Sequence, residues 1–490
     1  METKKSREQE KTPFLDAYKA YLESDPVPFD VPGHKLGNFE TDLSRKLSPC
    51  FSKYDANAPI GLDNLYHAKG VIKEAEDLAA KACHADHCLF SVNGTTGAIL
   101  TRFRSTLHAK DKVIRPRNIH KSVVNGLILS GATPIFVNPF IDEELGVACQ
   151  RRRDDLIKAR DENKDAKAVF IINPTYFGVT SDLKKIVEEA HNRNRIVRCD
   201  EAHGSNFYFS SKLPVSARQA GADITARSRH KNSGSLTQTS LLLVKGKRID
   251  RFEVKRAFAR FSSTSPYHPL MASLDAARKE RALHGKEILD RCLELSKYAR
   301  EHLNKIPGIH VYDKDYIKKW NTTGVFDIDL TKLVIDVRGL GRFGYDVYKE
   351  IRKESNVQLE LGEVSVVLAI VGPGTTKEHI DRLIQAFERL SKEHYKEGKK
   401  LSVLRYRYTY PIRRRIPRTA YDDPYKILPL KDAVGEIAEE TIRAYPPGIP
   451  IILPGEEISK DTITRINFYR REKGQILKDT KEGCIKVVVR

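Results

Sequence analysis

Between residues 70 and 245, short apolar runs alternate with longer stretches whose apolar positions recur every three or four residues. The runs 112–115, 134–137, 168–173, 195–200, 223–228 and 239–244 read as strands, and 119–130 and 182–192 read as helices. Short apolar strands alternating with helices predict an α/β fold with a doubly wound, mostly parallel sheet. Such sheets place ligands beyond the carboxyl ends of their strands. Arg198 conflicts with the pattern, because a parallel strand is normally buried on both faces; it predicts an edge position or an acidic partner.

Outside this region the periodicity changes. A helix is predicted over 13–23, with Thr12 as N-cap, Pro13 in the first helical position, and Phe14, Leu15, Tyr18, Tyr21 and Leu22 on one face. A long helix is predicted over 271–303. Beyond Pro307 come a strand (332–337), a helix (345–353), strands (357–361 and 364–371) and a helix (377–392), the pattern of a smaller α+β domain. The implied organisation is an N-terminal arm (1–30), a large domain (31–305), a small domain (306–400) and a C-terminal domain (401–490). The last contains the proline-rich run Tyr445-Pro446-Pro447-Gly448-Ile449-Pro450.

Composition narrows the class. Hydrophobic residues make up 40% of the 490 and charged residues 31%, as in soluble globular proteins. No apolar run approaches the ~20 residues that span a bilayer. The charged N-terminus lacks the apolar core of a secretory signal, so the expected location is cytoplasmic. Seven cysteines at irregular spacing fit reduced thiols. Cys83 and Cys88 flank His84 and His87, but without a second ligand pair at finger spacing no metal is expected. The formal net charge of +20 raises nucleic acid as a partner, with Arg151-Arg152-Arg153 and Arg413-Arg414-Arg415 as patches. No recognised nucleic-acid motif accompanies them. A basic nucleic-acid-binding protein is kept as the alternative, and a solvated basic surface is preferred.

Four segments carry chemistry at strand ends or helix starts. Ser91-Val92-Asn93-Gly94-Thr95-Thr96-Gly97 precedes an apolar helix, where small residues let N–H groups and hydroxyls approach a phosphate. Arg117-Asn118-Ile119-His120-Lys121-Ser122 places an imidazole at a strand-to-helix turn. Asp200-Glu201-Ala202-His203-Gly204 closes one strand with an acid, and Ser228-Arg229-His230-Lys231 closes the next with an amine. In order, these are a phosphate cup, a flat ring for stacking, a carboxylate, and a lysine 31 residues later. Pyridoxal phosphate needs such a set: an amine for its aldehyde, a cradle for its phosphate, and a carboxylate to keep its pyridine nitrogen protonated.

The chain resembles the Orn/Lys/Arg decarboxylase family of fold type I pyridoxal-phosphate enzymes. The likeness is greatest to the short bacterial form, which acts on arginine and lacks an N-terminal receiver-like wing. It rests on VPGHK (31–35), LYHAKG (65–70), FSVNGTTGAI (90–99), PRNIHKS (116–122), INPTYFGV (172–179), DEAHG (200–204), HKNSGSLTQTS (230–240), STSPY (263–267) and YPPGIPIILPGE (445–456). The resemblance implies that Lys231 holds the cofactor as a Schiff base, Asp200 binds the pyridine nitrogen, His120 stacks over the ring and His203 lies near its ring oxygen. Thr95, Thr96, Ser228 and His230 would hold the phosphate. The 263–265 turn would lie at a dimer interface, in a homodimer or larger homo-oligomer with shared sites.

The implied reaction is decarboxylation of a basic amino acid: arginine to agmatine and carbon dioxide, a step of polyamine biosynthesis, with lysine and ornithine as alternatives. Glu456 is the candidate for the substrate's distal cation. Arg198, Arg227 and Arg229 depart from the apolar or small residues usual in the family. Gly339-Leu340-Gly341-Arg342-Phe343-Gly344 fits a GxGxxG dinucleotide loop, with Glu360 roughly in the place of the ribose-binding acid. The surrounding unit is too short for a Rossmann half, and the stretch matches the decarboxylases' small domain.

Overall fold

The structure is a computed structural model. It describes residues 4–39, 42–48, 50–142, 144–145, 147–150, 153–320, 324–402, 409–445, 449–471 and 474–489. Arg151, Arg152 and Pro446-Pro447-Gly448, singled out above, lie outside the described residues.

In chain order the strands that matter are β1 (His87–Ser91), β2 (Lys112–Pro116), β3 (Thr133–Val137), β4 (Ala168–Ile172), β5 (Ile196–Asp200), β6 (Ile224–Ser228), β7 (Ser240–Val244), β8 (Lys332–Asp336), β9 (Leu361–Gly362) and β10 (Val366–Ile370). The helices are α1 (Pro13–Glu23), α2 (Val71–Ala82), α3 (Gly94–Thr106), α4 (Lys121–Ser130), α5 (Leu183–His191), α6 (Arg229–Asn232), α7 (Arg251–Phe261), α8 (His268–Leu303), α9 (Gly344–Ser355), α10 (Lys377–His394) and α11 (Lys460–Arg471). Pairing is parallel between β2 and both β3 and β4, and between β5 and β6; β7 runs antiparallel to β1 and β6. The α/β architecture with a mainly parallel sheet is therefore present.

The elements follow the periodicity closely. α1 starts and ends where the pattern places it, although Thr12 is bonded differently: its hydroxyl donates to Asp16 at 2.8 Å and gives no side-chain cap. The expected strand 357–361 shrinks to β9. Asn356 ends α9 in the left-handed conformation, and Val357 N–H turns back to the Ile351 carbonyl. The chain then reaches the ladder only with Glu360 N–H on Leu368 O at 2.9 Å.

By internal contacts the chain forms two compact units: residues 1–106 with 198–289, and residues 107–197 with 290–490. In the first unit, the register of β1, β7 and β6 aligns Ser91, Ser240 and Ser228 in one row at the sheet end. β5 runs parallel to β6 with Asp200 opposite Ala226, so Asp200 reaches the same end. The link from β1 into α3 is two residues long, and Gly94 takes a positive φ of 66° there. A Cβ at Gly97 would stand 2.9 Å from Asn93 Cβ and 3.2 Å from Ser91 Oγ, so this turn tolerates no larger residue without movement.

The second unit holds β2–β4, an antiparallel four-stranded sheet containing β8, β10 and β9, and the C-terminal elements around Ile442, Ile452, Ile466 and Ile485. Here the GxGxxG glycines serve packing. A Cβ at Gly339 would lie 2.6 Å from Gly308 O, and one at Gly344 only 2.1 Å from Glu363 O. Backbone segments meet at these positions.

The basic residues are not confined to the surface. Among the described residues, eight of the twelve largest fully buried side chains are arginines. Arg198 is fully buried rather than at an exposed edge, with its guanidinium 4.1 Å above the Phe103 ring. Arg227 pairs with buried Glu201, and Arg229 donates to Ala277 O at 3.2 Å. In the 413–415 cluster, Arg414 is paired with Glu457 at 2.7 Å and Arg415 with Asp423. No helix among the described residues is long and apolar enough to cross a membrane.

Candidate active site

The first unit gathers the site from three strand ends and one helix start. Thr95, buried on the first turn of α3, hydrogen-bonds through its hydroxyl to Ser228 Oγ and donates to Ser240 Oγ at 3.1 Å. Ser240 Oγ in turn donates to Arg227 O at 2.7 Å. Gly94 N–H is taken by Gln238 O and Gly97 N–H by Asn93 O. The first-turn N–H groups of Thr95 and Thr96 have no partner inside a helix and face the helix N-terminus, where an anion is favoured. Thr96 itself is exposed. The result is a small cup of hydroxyls and N–H groups.

Beside it, β5 ends at Asp200, 5% exposed, whose Oδ1 accepts Ala202 N–H at 3.2 Å. The chain turns and brings His203 beneath the short helix α6, so that Lys231 Nζ lies 2.7 Å from His203 Nε2. Asn232 amide donates to His203 O at 3.1 Å, while Asn206 and Arg281 both donate to Asn232 O, at 2.6 and 3.0 Å. Ser205 Oγ donates to Ser228 O at 2.7 Å. The segments carrying Asp200, His203 and Lys231 are thus cross-tied by buried side chains. His230 turns Nδ1 to Thr239 O at 2.9 Å.

Lys231, Asp200, His203, Thr95, Thr96, Ser228 and His230 therefore belong to one unit. Ser240, Ser205, Asn206 and Asn232 were not assigned roles from the sequence. Ser240 and Asn232 stand inside the 230–240 motif and could have been singled out. Ser205 and Asn206 follow DEAHG directly and carry no local signal of their own.

The second unit holds the remaining two. His120 is exposed and caps α4, its Nδ1 accepting Ser122 N–H at 3.2 Å, so the helix expected from 119 begins at Lys121. Three residues earlier, buried Arg117 donates through Nη2 to Glu456 Oε2 at 2.6 Å and to Ile451 O at 3.4 Å. Glu456 also accepts Leu453 N–H at 2.9 Å through Oε2, and its Oε1 is buried with no hydrogen-bond partner among the described residues. Burial pushes the Glu456 carboxyl up to about 6, against the pull of Arg117. In the Glu350, Glu393 and His394 cluster, Glu350 pairs with Arg342 at 2.9 Å and hydrogen-bonds with His394 at 2.8 Å.

Residues 12–374 match the family model described as Orn/Lys/Arg decarboxylase, major domain, and 415–475 match that family's C-terminal domain. The arginine decarboxylase of Halalkalibacterium halodurans is 39% identical over 473 residues, covering 94% of each chain. That of Bacillus subtilis is 39% identical over 484 residues, covering 98% of each. Among solved structures, lysine decarboxylase A of Pseudomonas aeruginosa superposes with a TM-score of 0.83 at 19% identity, covering 97% of this chain and 80% of that one.

Proposed function

Because the chain belongs to the Orn/Lys/Arg decarboxylase family, we propose that it decarboxylates arginine to agmatine with pyridoxal phosphate held in the first unit. The observation that carries this reading is the Lys231 amine on His203, beside Asp200 and the Thr95–Ser228–Ser240 hydroxyls. Those residues fit the cofactor chemically. They offer one amine for an aldehyde, one buried carboxylate for a ring nitrogen, and a hydroxyl and N–H cup at a helix N-terminus for a phosphate. Bound there, pyridoxal phosphate supplies the electron sink for the electron pair left when carbon dioxide departs.

In this reading Lys231 Nζ would hold the cofactor's aldehyde, with His203 Nε2 2.7 Å from that amine. Asp200 keeps a proton on the ring nitrogen. Thr95, Thr96, Ser228 and His230 hold the phosphate, and His120 would lie against the ring. Glu456 Oε1 is proposed to take the distal guanidinium, because Arg117 engages the other oxygen and leaves Oε1 with a free lone pair. We also propose that the exposed 263–265 turn meets a second copy of the chain. A cytoplasmic location fits Cys83, Cys88, Cys149, Cys199, Cys292 and Cys484, all free thiols.

The test is to add pyridoxal phosphate to the purified protein, record the visible spectrum, and follow carbon dioxide with arginine, lysine or ornithine. A visible band that Lys231→Ala abolishes, with carbon dioxide and agmatine from arginine alone, supports the reading. Release from lysine or ornithine instead would move the substrate, and a band without carbon dioxide from any of the three would overturn the reaction.

A further inference from the structure

Burying an arginine fixes more than a charge, because the planar guanidinium needs acceptors along its edge and a flat surface for its face. Arg117, in the turn between β2 and α4, is buried with its guanidinium 5.1 Å from the centre of the Phe136 ring. Its edge meets the C-terminal segment at three acceptors. Nη1 donates to Pro450 O at 3.5 Å, and Nη2 donates to Ile451 O at 3.4 Å and to Glu456 Oε2 at 2.6 Å. Leu453 N–H reaches the same carboxylate oxygen at 2.9 Å. Two donors on Oε2 fix the plane of the carboxylate, and with it the direction of Oε1. Oε1 is buried and has no hydrogen-bond partner among the described residues. A carboxylate oxygen left bare in the interior costs free energy until a donor reaches it.

We propose that Arg117 is the positioning residue of Glu456: it aims Oε1 at the ligand and keeps the carboxylate anionic inside the protein. This rests on the proposed contact between Oε1 and the substrate's guanidinium. Arg117 touches neither the substrate nor the reacting atoms in this reading, and acts through Glu456 alone. The turn between β2 and α4 then serves the reaction twice, with Arg117 behind the acid for the distal group and His120 three residues later. The other charged and titratable groups that face the pair are Arg413, bridged to Glu456 by antiparallel backbone pairing, Arg465 of α11, and Tyr410. Burial opposes the ionised form of Glu456; Arg117 favours that form most, and Arg413 less.

The test compares the full wild-type chain with Arg117→Met, Arg117→Lys and Glu456→Gln. KM and kcat for arginine are followed across pH with pyridoxal phosphate bound, and the protonated-carboxyl region of the infrared spectrum is titrated without cofactor or substrate. In Arg117→Met the pH at which KM falls should move up by at least about one pH unit, as expected when a charge this close is removed. A protonated-carboxyl band should persist to the same higher pH and be missing from Glu456→Gln, and the loss should fall on KM more than on kcat. An arginine that merely fastens residues 450–456 would lower Tm and leave both titrations where wild type has them, a result that overturns the proposal. If Arg117→Met does not fold, Arg117→Lys decides, since it keeps the charge and loses the planar fork. A KM at about pH 8 raised at least about threefold, the equivalent of one weakened hydrogen bond, supports the aiming role, and a wild-type KM overturns it. If Glu456→Gln shows the wild-type KM at every pH, the guanidinium contact fails, while the carboxyl band still reports whether Arg117 holds Glu456.

Discussion

Glu456 and Arg117 form an ion pair at 2.6 Å with both side chains almost wholly buried, and the second carboxylate oxygen of Glu456 has no hydrogen-bond partner among the described residues. The pair lies on the second unit, with Arg117 three residues before His120. Glu456→Gln should raise the KM for arginine at least about tenfold, since a charge-assisted contact is worth ~1.5–3 kcal/mol. Folding stability at neutral pH should change little, because burial already favours the neutral form of this carboxyl in the folded chain. Steady-state kinetics and urea unfolding separate the two effects.

The pH dependence follows from the same carboxyl, which burial raises to about 6. A raised acid binds its proton more tightly in the folded chain than in the unfolded one. Its contribution to stability is therefore present below the ordinary carboxyl range and lost as pH rises through about 6. Arginine binding runs the other way, because it needs the ionised form. KM should fall as pH rises through about 6, and a KM profile unchanged in Glu456→Gln would refute the role.

Lys231→Ala should lose the visible cofactor band and at least about a thousandfold in kcat, with little change in Tm, because the side chain is only partly buried. His203→Ala should retain the band and lose turnover, since the 2.7 Å contact to Nζ is removed while the amine remains. Absorbance and single-turnover carbon dioxide release distinguish the two.

Thr95→Val removes the hydroxyl that ties Ser228 to Ser240. The expected loss is about tenfold in affinity for pyridoxal phosphate, the equivalent of one net hydrogen bond of ~1.4 kcal/mol. Thr95→Ser should restore most of it. Equal affinity in all three proteins, measured by fluorescence titration, would remove Thr95 from the cup.

Glu76 is buried under β1, where it accepts Phe90 N–H at 2.9 Å, and burial pushes its carboxyl up to about 8. The folded chain holds this proton above the ordinary carboxyl range, so the stability it contributes is lost as pH rises from that range through about 8. Glu76→Gln should therefore raise Tm relative to wild type more at about pH 8.5 than at about pH 5.5. A constant difference across that range would show that Glu76 does not titrate there.

Gly344→Ala places a methyl 2.1 Å from Glu363 O, a contact with backbone that cannot swing aside. A loss of about 2–4 kcal/mol is expected by denaturant unfolding, with the cofactor spectrum of the folded fraction unchanged. A nucleotide-binding role for the 339–344 glycines would instead show as lost nucleotide affinity with intact stability.

The proposed site residues were legible because their signals are local. Asp200 and Lys231 close predicted strands, His203 follows within three residues, and Thr95 opens a helix after a tight glycine turn. Ser240 was not legible as a ligand to Thr95, since that contact depends on β7 running antiparallel between β1 and β6, which brings residues 145 apart into hydrogen-bond range. The strand expected at 357–361 is shortened for a local reason instead: the helix C-cap at Asn356 turns Val357 N–H back to Ile351 O.

Periodicity and strand-end chemistry were enough for the element types, their order, and the identity of the amine, acid and hydroxyls, because helix and strand periods and turn chemistry depend on near neighbours. The destination of the buried cations was not contained in that information. An edge position or an acidic partner was expected for Arg198; it is fully buried with its guanidinium over the Phe103 ring, while Glu201 takes Arg227 and Glu456 takes Arg117. Which buried arginine meets a carboxylate, a ring or a carbonyl depends on register and packing between residues distant in the chain. Desolvation makes each such match decisive, since a buried charge without its partner costs several kcal/mol.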